Sequence, residues 1–136
     1  MKTSARPSIE GQTEGIILVV DDDPAVCHVT GQMLELQGLS VLCAEGGEQA
    51  LRLFAKHRDQ VDLLLTDIVM PNLTGPQLAQ QLRIQRPNLP VLFVSGVVTQ
   101  ANFEGVMGGW MIRKPYGPAG LASKIREVLR ASVSGA

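Results

Sequence analysis

The sequence predicts an α/β fold with a doubly wound, five-stranded parallel sheet. Short runs that are almost wholly apolar and rich in β-branched residues alternate along the chain with longer segments whose apolar residues recur at helical spacing. Parallel neighbouring strands need helical crossovers, which are right-handed and cover both faces of the sheet. The chain has 136 residues, 45% of them hydrophobic, which suffices for one such core and predicts a single domain.

The first strand-helix unit shows the pattern most clearly. Ile16–Val20 is a continuous apolar run of the kind that is buried on both faces of a parallel sheet. Asp23 and Pro24 then supply an N-cap and a first helical residue, and Gly38 ends the helix. The apolar residues of this helix recur at helical spacing; they are Val26, Val29, Met33 and Leu36.

The same alternation continues to the end of the chain. The further strands are predicted at 39–44, 61–66, 89–94 and 110–112. The further helices are predicted at 48–57, 76–86, within 99–107, and at 118–130. Glycines at 105, 108 and 109 make the helix within 99–107 the weakest of these. The predicted inward-facing residues of the other three are Ala50, Leu51, Phe54, Leu78, Leu82, Leu121, Ile125, Val128 and Leu129.

The ends of the chain and its charge exclude several classes of protein. Residues 1–15 are predicted to form a flexible leader, residues 16–131 the folded domain, and residues 132–136 a flexible C-terminal end. The leader lacks the apolar stretch of a secretory signal, and no apolar run approaches the roughly 18 residues of a membrane span. A net charge of -1 offers no footprint for direct nucleic-acid or membrane binding.

The two cysteines, Cys27 and Cys43, lack the spacing of a metal-binding pair. We interpret them as small buried hydrophobic residues in a reducing cytosol, in preference to a disulfide. Together with the missing signal and membrane span, this predicts a cytoplasmic protein.

Polar side chains follow four of the predicted strands. Asp21 and Asp22 end the first strand, Asp67 the third, Ser95 the fourth and Lys114 the fifth. In an open parallel sheet, ligands bind beyond the carboxyl ends of the strands, so we expect these residues at one edge. Each residue taken alone is also explained by a helix cap, a turn or a loop. Their joint occurrence in this order favours a site.

The chemistry of this set favours phosphoryl transfer. Three carboxylates at one edge repel one another at neutral pH, so a cation is expected among them. A few hard oxygen ligands suit Mg²⁺, which shares its coordination sphere with water and substrate phosphate. Beside such an ion Asp67 is a plausible nucleophile toward phosphorus, with Ser95 and Lys114 stabilising the phosphoryl oxygens.

With these residues at its strand ends, the sequence resembles a response-regulator receiver domain of bacterial two-component signalling. The resemblance covers most of the chain, from about residue 16 to residue 131. It rests on ILVVDDDP at 17–24, DLLLTDIVMP at 62–71 with Gly75, VLFVSG at 91–96, and KPY at 114–116. It implies the (βα)5 flavodoxin-like receiver fold and a role in phosphorelay signal transduction.

The resemblance also implies a role for each site residue. Asp67 would be both the phosphoacceptor and a metal ligand, with Asp21 and Asp22 binding Mg²⁺ directly or through water and the backbone carbonyl of Val69 completing the metal shell. Ser95 and Lys114 would contact the phosphoryl group, and the Lys114–Pro115 bond would be cis. The phosphoryl donor would be a sensor histidine kinase or a histidine phosphotransfer domain. Phosphorylation would switch the binding of an output partner that the sequence does not identify.

A receiver of this kind is not an enzyme beyond its own phosphorylation and dephosphorylation, and we expect a monomer or weak dimer. Met111 stands where the family has a rotating aromatic residue, and strand alternation places Trp110 on the opposite face. The side chains that tune phosphoryl lifetime in this family are here Val69 and Val97, which cannot orient an attacking water. The resemblance therefore implies slow dephosphorylation.

Two other functions are considered. A receiver-like module that signals without phosphorylation usually lacks one of the site residues, all of which are present here. A haloacid-dehalogenase-type phosphatase would also use an aspartate and Mg²⁺, but Ala25 departs from its motif and only Glu104 and Glu127 follow Asp67 as acids. Whether the receiver stands alone or comes from a hybrid kinase or a longer regulator remains open.

Overall fold

A computed structural model describes residues 15–96 and 109–134 of the chain. Within them, strands and helices alternate as the apolar runs and helical stripes predict. In chain order they are β1 (Ile16–Val20), α1 (Pro24–Leu36), β2 (Ser40–Ala44), α2 (Gly47–His57), β3 (Val61–Asp67), α3 (Gly75–Gln85), β4 (Val91–Ser95), β5 (Trp110–Arg113) and α4 (Pro118–Ser134). The predicted helix within 99–107 lies outside the described residues.

The five strands form one parallel sheet in the order β2-β1-β3-β4-β5. Val20, the last residue of β1, pairs with Ala44 on one side and Thr66 on the other. Further along the sheet, Asp67 pairs with Val94. The register therefore brings the carboxyl ends of the strands to one edge, which confirms the predicted doubly wound α/β sheet.

The sheet buries a separate apolar cluster on each face, because successive side chains of a strand point to opposite sides. Leu18 and Val20 of β1 pack in the cluster covered by α2 and α3. Ile17 and Val19 pack in the cluster covered by α1 and α4. The three inner strands, β1, β3 and β4, thus have little exposed side-chain surface, which explains why they appear in the sequence as continuous apolar runs.

The buried face of α1 differs from the apolar stripe in its sequence. The residues that are buried are Cys27, Thr30, Gly31 and Leu34. Val29 and Leu36 of the predicted stripe are instead 52% and 82% exposed. Gly31 has the side chains of Val41 and Cys43 within contact distance of the position that a Cβ would occupy, so the helix packs closely on β2 there. The small residues face the sheet because they allow this close approach.

The remaining helices agree with their predicted faces. Ala50 and Phe54 are buried with Leu51 packed against them, and Leu78 and Leu82 are buried on α3. Helix α4 was expected to end near residue 130, with a flexible end after it, but it continues to Ser134.

In the part of the chain described here, no helix combines the length and apolar character of a transmembrane span.

Both cysteines are free thiols, as predicted. Cys27 is buried, but Cys43 is exposed, so the expectation that both are buried is wrong for Cys43. The reason is the position of β2, which is the edge strand of the sheet.

Candidate functional site

The first part of the site is the turn that follows β1. The Asp21 amide donates a hydrogen bond to the carbonyl oxygen of Ala44 at 3.1 Å, which continues the ladder with β2. Its carboxylate accepts from the Asp23 amide at 2.9 Å and is almost fully buried. Asp23 in turn caps α1 by accepting from the Ala25 amide at 3.0 Å. Asp21 is therefore held by its neighbours while Asp22 stays exposed at the edge of the sheet.

Asp67 is positioned by the close approach of α3 to the end of β3. The Gly75 amide donates to the Ile68 carbonyl oxygen at 2.9 Å, and the Ile68 amide donates to the Val94 carbonyl oxygen at 3.2 Å. A Cβ placed on Gly75 would collide with the carbonyl oxygen of Asp67. Glycine is therefore required at position 75, since the obstacle is main chain and cannot move aside.

The ends of β4 and β5 bring a hydroxyl group and an amine to the same edge. The Lys114 amide donates to the carbonyl oxygen of Ser95 at 2.9 Å. The Lys114 Nζ lies 3.4 Å from Asp67 Oδ1. The Lys114–Pro115 peptide bond is cis, as the resemblance implies. Asp67, Ser95 and Lys114 line one cleft of about 240 Å³ together with Val69 and Gly96.

The carboxylates of this edge repel one another. One oxygen from each of Asp21, Asp22 and Asp67 can be chosen so that all lie within 4.8 Å of one another. Burial, together with the negative charge of Asp21, raises the pKa of Asp67 to about 6, against the opposing effect of Lys114. A divalent cation with oxygen ligands would relieve this repulsion, so the donor set and its charge fit Mg²⁺.

The structure brings together the five residues that the strand ends predicted, namely Asp21, Asp22, Asp67, Ser95 and Lys114. Val69 lines the cleft with an exposed side chain, while its role as a carbonyl ligand stays a prediction. Val97 lies outside the described residues.

The two neighbouring residues on β5 face opposite sides of the sheet. Met111 packs against the cluster under α2 and α3, whereas Trp110 packs on the α4 side, where Lys124 lies over its ring. Strand alternation predicted this arrangement, and it is confirmed.

The sequence did not predict a groove beside the site. It has a volume of about 450 Å³ and separates α1 from the segment after β5. The groove is lined by Ala25, Val26, Val29, Thr30, Met33, Lys114, Pro115 and Tyr116. The sequence feature that could have indicated this groove is the apolar stripe of α1, because its Val29 and Met33 line the groove.

Comparison with known proteins agrees with this geometry. The chain is 35% identical over 121 residues to the transcriptional regulatory protein CpxR of Klebsiella pneumoniae subsp. pneumoniae strain HS11286, covering 85% of this chain and 50% of that protein. It is 31% identical over 116 residues to the sensor kinase CckA of Brucella abortus, covering 83% of this chain and 12% of the kinase. The chain thus spans half or less of the length of these relatives.

Solved structures with the same fold include two of receiver domains. The CheY-like receiver domain protein of Methanospirillum hungatei superposes with a TM-score of 0.77 at 30% identity, covering 90% of this chain and 98% of that one. The receiver domain of the hybrid histidine kinase CckA superposes with a TM-score of 0.72 at 34% identity, covering 85% and 99%.

The family model described as the response regulator receiver domain matches residues 17–126, a range that begins in β1 and ends within α4. Because this match includes residues of all five strands and every residue of the carboxylate and lysine edge, the chain belongs to the response regulator receiver domain family of two-component signalling.

Proposed function

We propose that Asp67 accepts a phosphoryl group from a phosphohistidine and that this modification switches the binding of an output partner. The observation that carries the proposal is the position of the Asp67 carboxylate. One of its oxygens lies within 4.8 Å of an oxygen of Asp21 and of an oxygen of Asp22, and its Oδ1 lies 3.4 Å from the Lys114 Nζ. A nucleophile between an acidic cation site and a lysine suits attack on a negatively charged phosphoryl group.

In this reaction an oxygen of Asp67 attacks phosphorus as the phosphorus-nitrogen bond of the donor breaks, and the electron pair of that bond leaves with the imidazole. Lys114 and Ser95 hold the phosphoryl oxygens during the transfer. Asp21, Asp22, Asp67 and the Val69 carbonyl would hold Mg²⁺, which when bound neutralises charge on the carboxylates and on the phosphoryl group. The positive charge of Lys114 favours the ionised, nucleophilic form of Asp67.

The partner follows from the groove beside Lys114. Its walls on α1 are apolar, and Val29 at its rim is 52% exposed. Because the groove and the phosphorylation cleft share Lys114, a partner helix seated in the groove would present a histidine near Asp67. This supports a sensor histidine kinase or a histidine phosphotransfer domain as the donor.

A charged residue at the rim tests this docking mode. Val29→Asp is expected to slow phosphorylation by the partner kinase at least tenfold, because a carboxylate would be desolvated in the contact. It should leave phosphorylation by acetyl phosphate unchanged, since that donor needs no groove. An equal loss with both donors would point to damage at the site and against docking.

The wider role of the chain is proposed on the same basis. We infer a receiver domain over residues 16–131 whose only chemistry is its own phosphorylation and dephosphorylation. A cytoplasmic location and a monomeric or weakly dimeric state fit this role. The similar proteins CpxR and CckA are a transcriptional regulator and a sensor kinase. Because their outputs differ, we assign neither output to this chain.

The decisive experiment is incubation of the purified chain with acetyl phosphate and Mg²⁺, followed by intact-mass analysis. The wild type should gain one phosphoryl group, and Asp67→Asn should gain none. Asp59→Asn is the matched control, because the Asp59 side chain is 86% exposed in the turn after α2. Undiminished acyl phosphate in Asp67→Asn would assign the phosphoacceptor elsewhere. A wild type that stays unmodified with acetyl phosphate and with kinase would favour a phosphorylation-independent module.

A further inference from the structure

Two free thiols face each other behind the acidic turn of the site. Cys43 is the register partner of Val19, whose side chain packs on the α1 face of the sheet, so Cys43 lies on that face as well. Its Sγ lies 3.4 Å from the carbonyl oxygen of Cys27 on α1. It also lies beside Gly31, where a Cβ would approach it to 3.0 Å. Because Gly31 has no side chain, the Cys43 thiol can lie close to the backbone of α1.

The Cys27 thiol is directed toward the same strand. Its Sγ lies 3.3 Å from the carbonyl oxygen of Ala44, the residue after Cys43, and 3.5 Å from that of Val19. Cys27 is 1% exposed, whereas Cys43 is exposed. The pair therefore combines a thiol that a small oxidant can reach with a second thiol that is held against the same part of β2.

We propose that Cys27 and Cys43 are the site of a reversible intramolecular disulfide that links α1 to β2. With a peroxide as oxidant, the Cys43 sulfur attacks one peroxide oxygen, the oxygen-oxygen bond breaks, and a sulfenic acid forms with release of water. The Cys27 sulfur then attacks the Cys43 sulfur, the sulfur-oxygen bond breaks, and a second water leaves. The two thiols lose two electrons and two protons, and one peroxide is reduced to two waters.

The surroundings of the thiols determine the rate and the consequence of this reaction. Burial, followed by the neighbouring Cys43 thiol, raises the pKa of Cys27 to about 12, and the partial desolvation of the Cys43 thiol on the side that faces α1 raises its pKa as well. Both thiols are thus protonated at neutral pH, so their oxidation by peroxide is slow. The linkage would close the loop between the two residues and restrict the unfolded chain, which stabilises the fold.

The test uses the full chain, reduced and then treated with hydrogen peroxide, denatured and alkylated before intact-mass analysis. The expected product is monomeric, lacks both alkyl groups and has lost two hydrogen atoms relative to the reduced chain. Dithiothreitol should restore both alkylation sites. Oxidised wild type should show a higher Tm than reduced wild type, and this difference should disappear in Cys43→Ser.

The alternative products are distinguishable. A chain that keeps both alkylation sites after peroxide treatment, or carries added oxygen without loss of the second site, overturns the proposal. A disulfide-linked dimer through the exposed Cys43 also overturns it. A monomeric disulfide that lowers Tm would overturn it too, because the linkage would then not fit the native contact of α1 and β2. Cys43→Ser serves as the principal variant because it changes an exposed residue, and Cys27→Ala is the second.

Discussion

The acidic and basic halves of the proposed phosphorylation site are positioned by different kinds of contact. The acidic half, at the ends of β1 and β3, is held by main chain, through the ladder bond from Asp21 to Ala44 and the packing of Gly75 against Asp67. The basic half, at the ends of β4 and β5, has one main-chain bond between Lys114 and Ser95 and a long side chain that is 37% exposed.

The difference arises because the charges of the acidic half repel one another, whereas the lysine of the basic half is attracted to its partner. Like charges that must remain close repel one another, so their positions require a backbone that does not relax. A lysine is attracted to its target and reaches it through a flexible stem, so it needs less support. Holding these carboxylates close together, as cation binding requires, therefore lowers the stability of the fold at the acidic half.

The largest effect is expected from disturbing the backbone of the acidic half. Gly75→Ala should lower the free energy of unfolding by about 3 kcal/mol, because the added Cβ overlaps the Asp67 carbonyl oxygen. Gly120→Ala on α4 is the control, since a Cβ there meets nothing within 4 Å. It should be neutral or stabilise by up to about 1 kcal/mol. Urea denaturation followed by the fluorescence of the single tryptophan, Trp110, measures both. Equal stabilities for the two variants would show that the backbone of the acidic half relaxes around an added Cβ and is not rigid.

The next effect concerns the cation that the acidic half fits. Mg²⁺ at about 100 times its Kd should stabilise the wild type by about 2.7 kcal/mol, since it binds the folded state only. Asp22→Ala should lose most of the resulting rise in Tm, whereas Asp59→Ala, on an exposed turn, should keep it. Thermal denaturation with and without Mg²⁺ gives the comparison. If Asp22→Ala retained the full rise, Asp22 would not be a ligand.

The third prediction measures the repulsion itself. The folded-state pKa of Asp67 is raised to about 6 from an ordinary value of 3.8, so its protonation favours folding. In metal-free buffer this contribution is fully present below pH 3.8 and is lost as the pH rises through 6. Relative to Asp67→Asn, the wild type should therefore lose about 2 to 3 kcal/mol between pH 4 and pH 7.5. Urea titrations of both proteins at several pH values test this, and parallel profiles would contradict it.

The smallest effect concerns the cleft that Val69 lines together with Asp67 and Ser95. Because valines at 69 and 97 cannot orient an attacking water, we expect a phosphoryl half-life of many minutes or longer. A Val69→Asn, Val97→Glu double variant should release phosphate about tenfold faster or more, since positioned polar groups assist the water. Val29→Asn, on α1, is the control and should release phosphate at the wild-type rate. Loss of phosphate from the wild type within seconds would show that these valines do not control the lifetime.

Much of the molecule follows from local patterns. The strands are recognisable because a parallel strand covered on both faces must be apolar along its whole length, and Asp23 caps α1 through its own side chain. The identity of the site residues also follows, because a parallel sheet places its carboxyl ends at one edge. For that reason Asp21, Asp67 and Lys114 were predictable without knowledge of any distance.

Other features depended on contacts between distant parts of the chain. The buried face of α1 is set by close packing at Gly31 and includes Thr30, and both are small residues that a hydrophobic pattern does not count. The raised pKa of Asp67 depends on how near Asp21 lies and how much water is excluded. The facing of Cys27 and Cys43 depends on the register of β2 against β1. Sequence alone determined which residues this receiver brings to its edge, and tertiary structure decided their separations and burial, because electrostatic and packing energies depend on distances that local patterns do not encode.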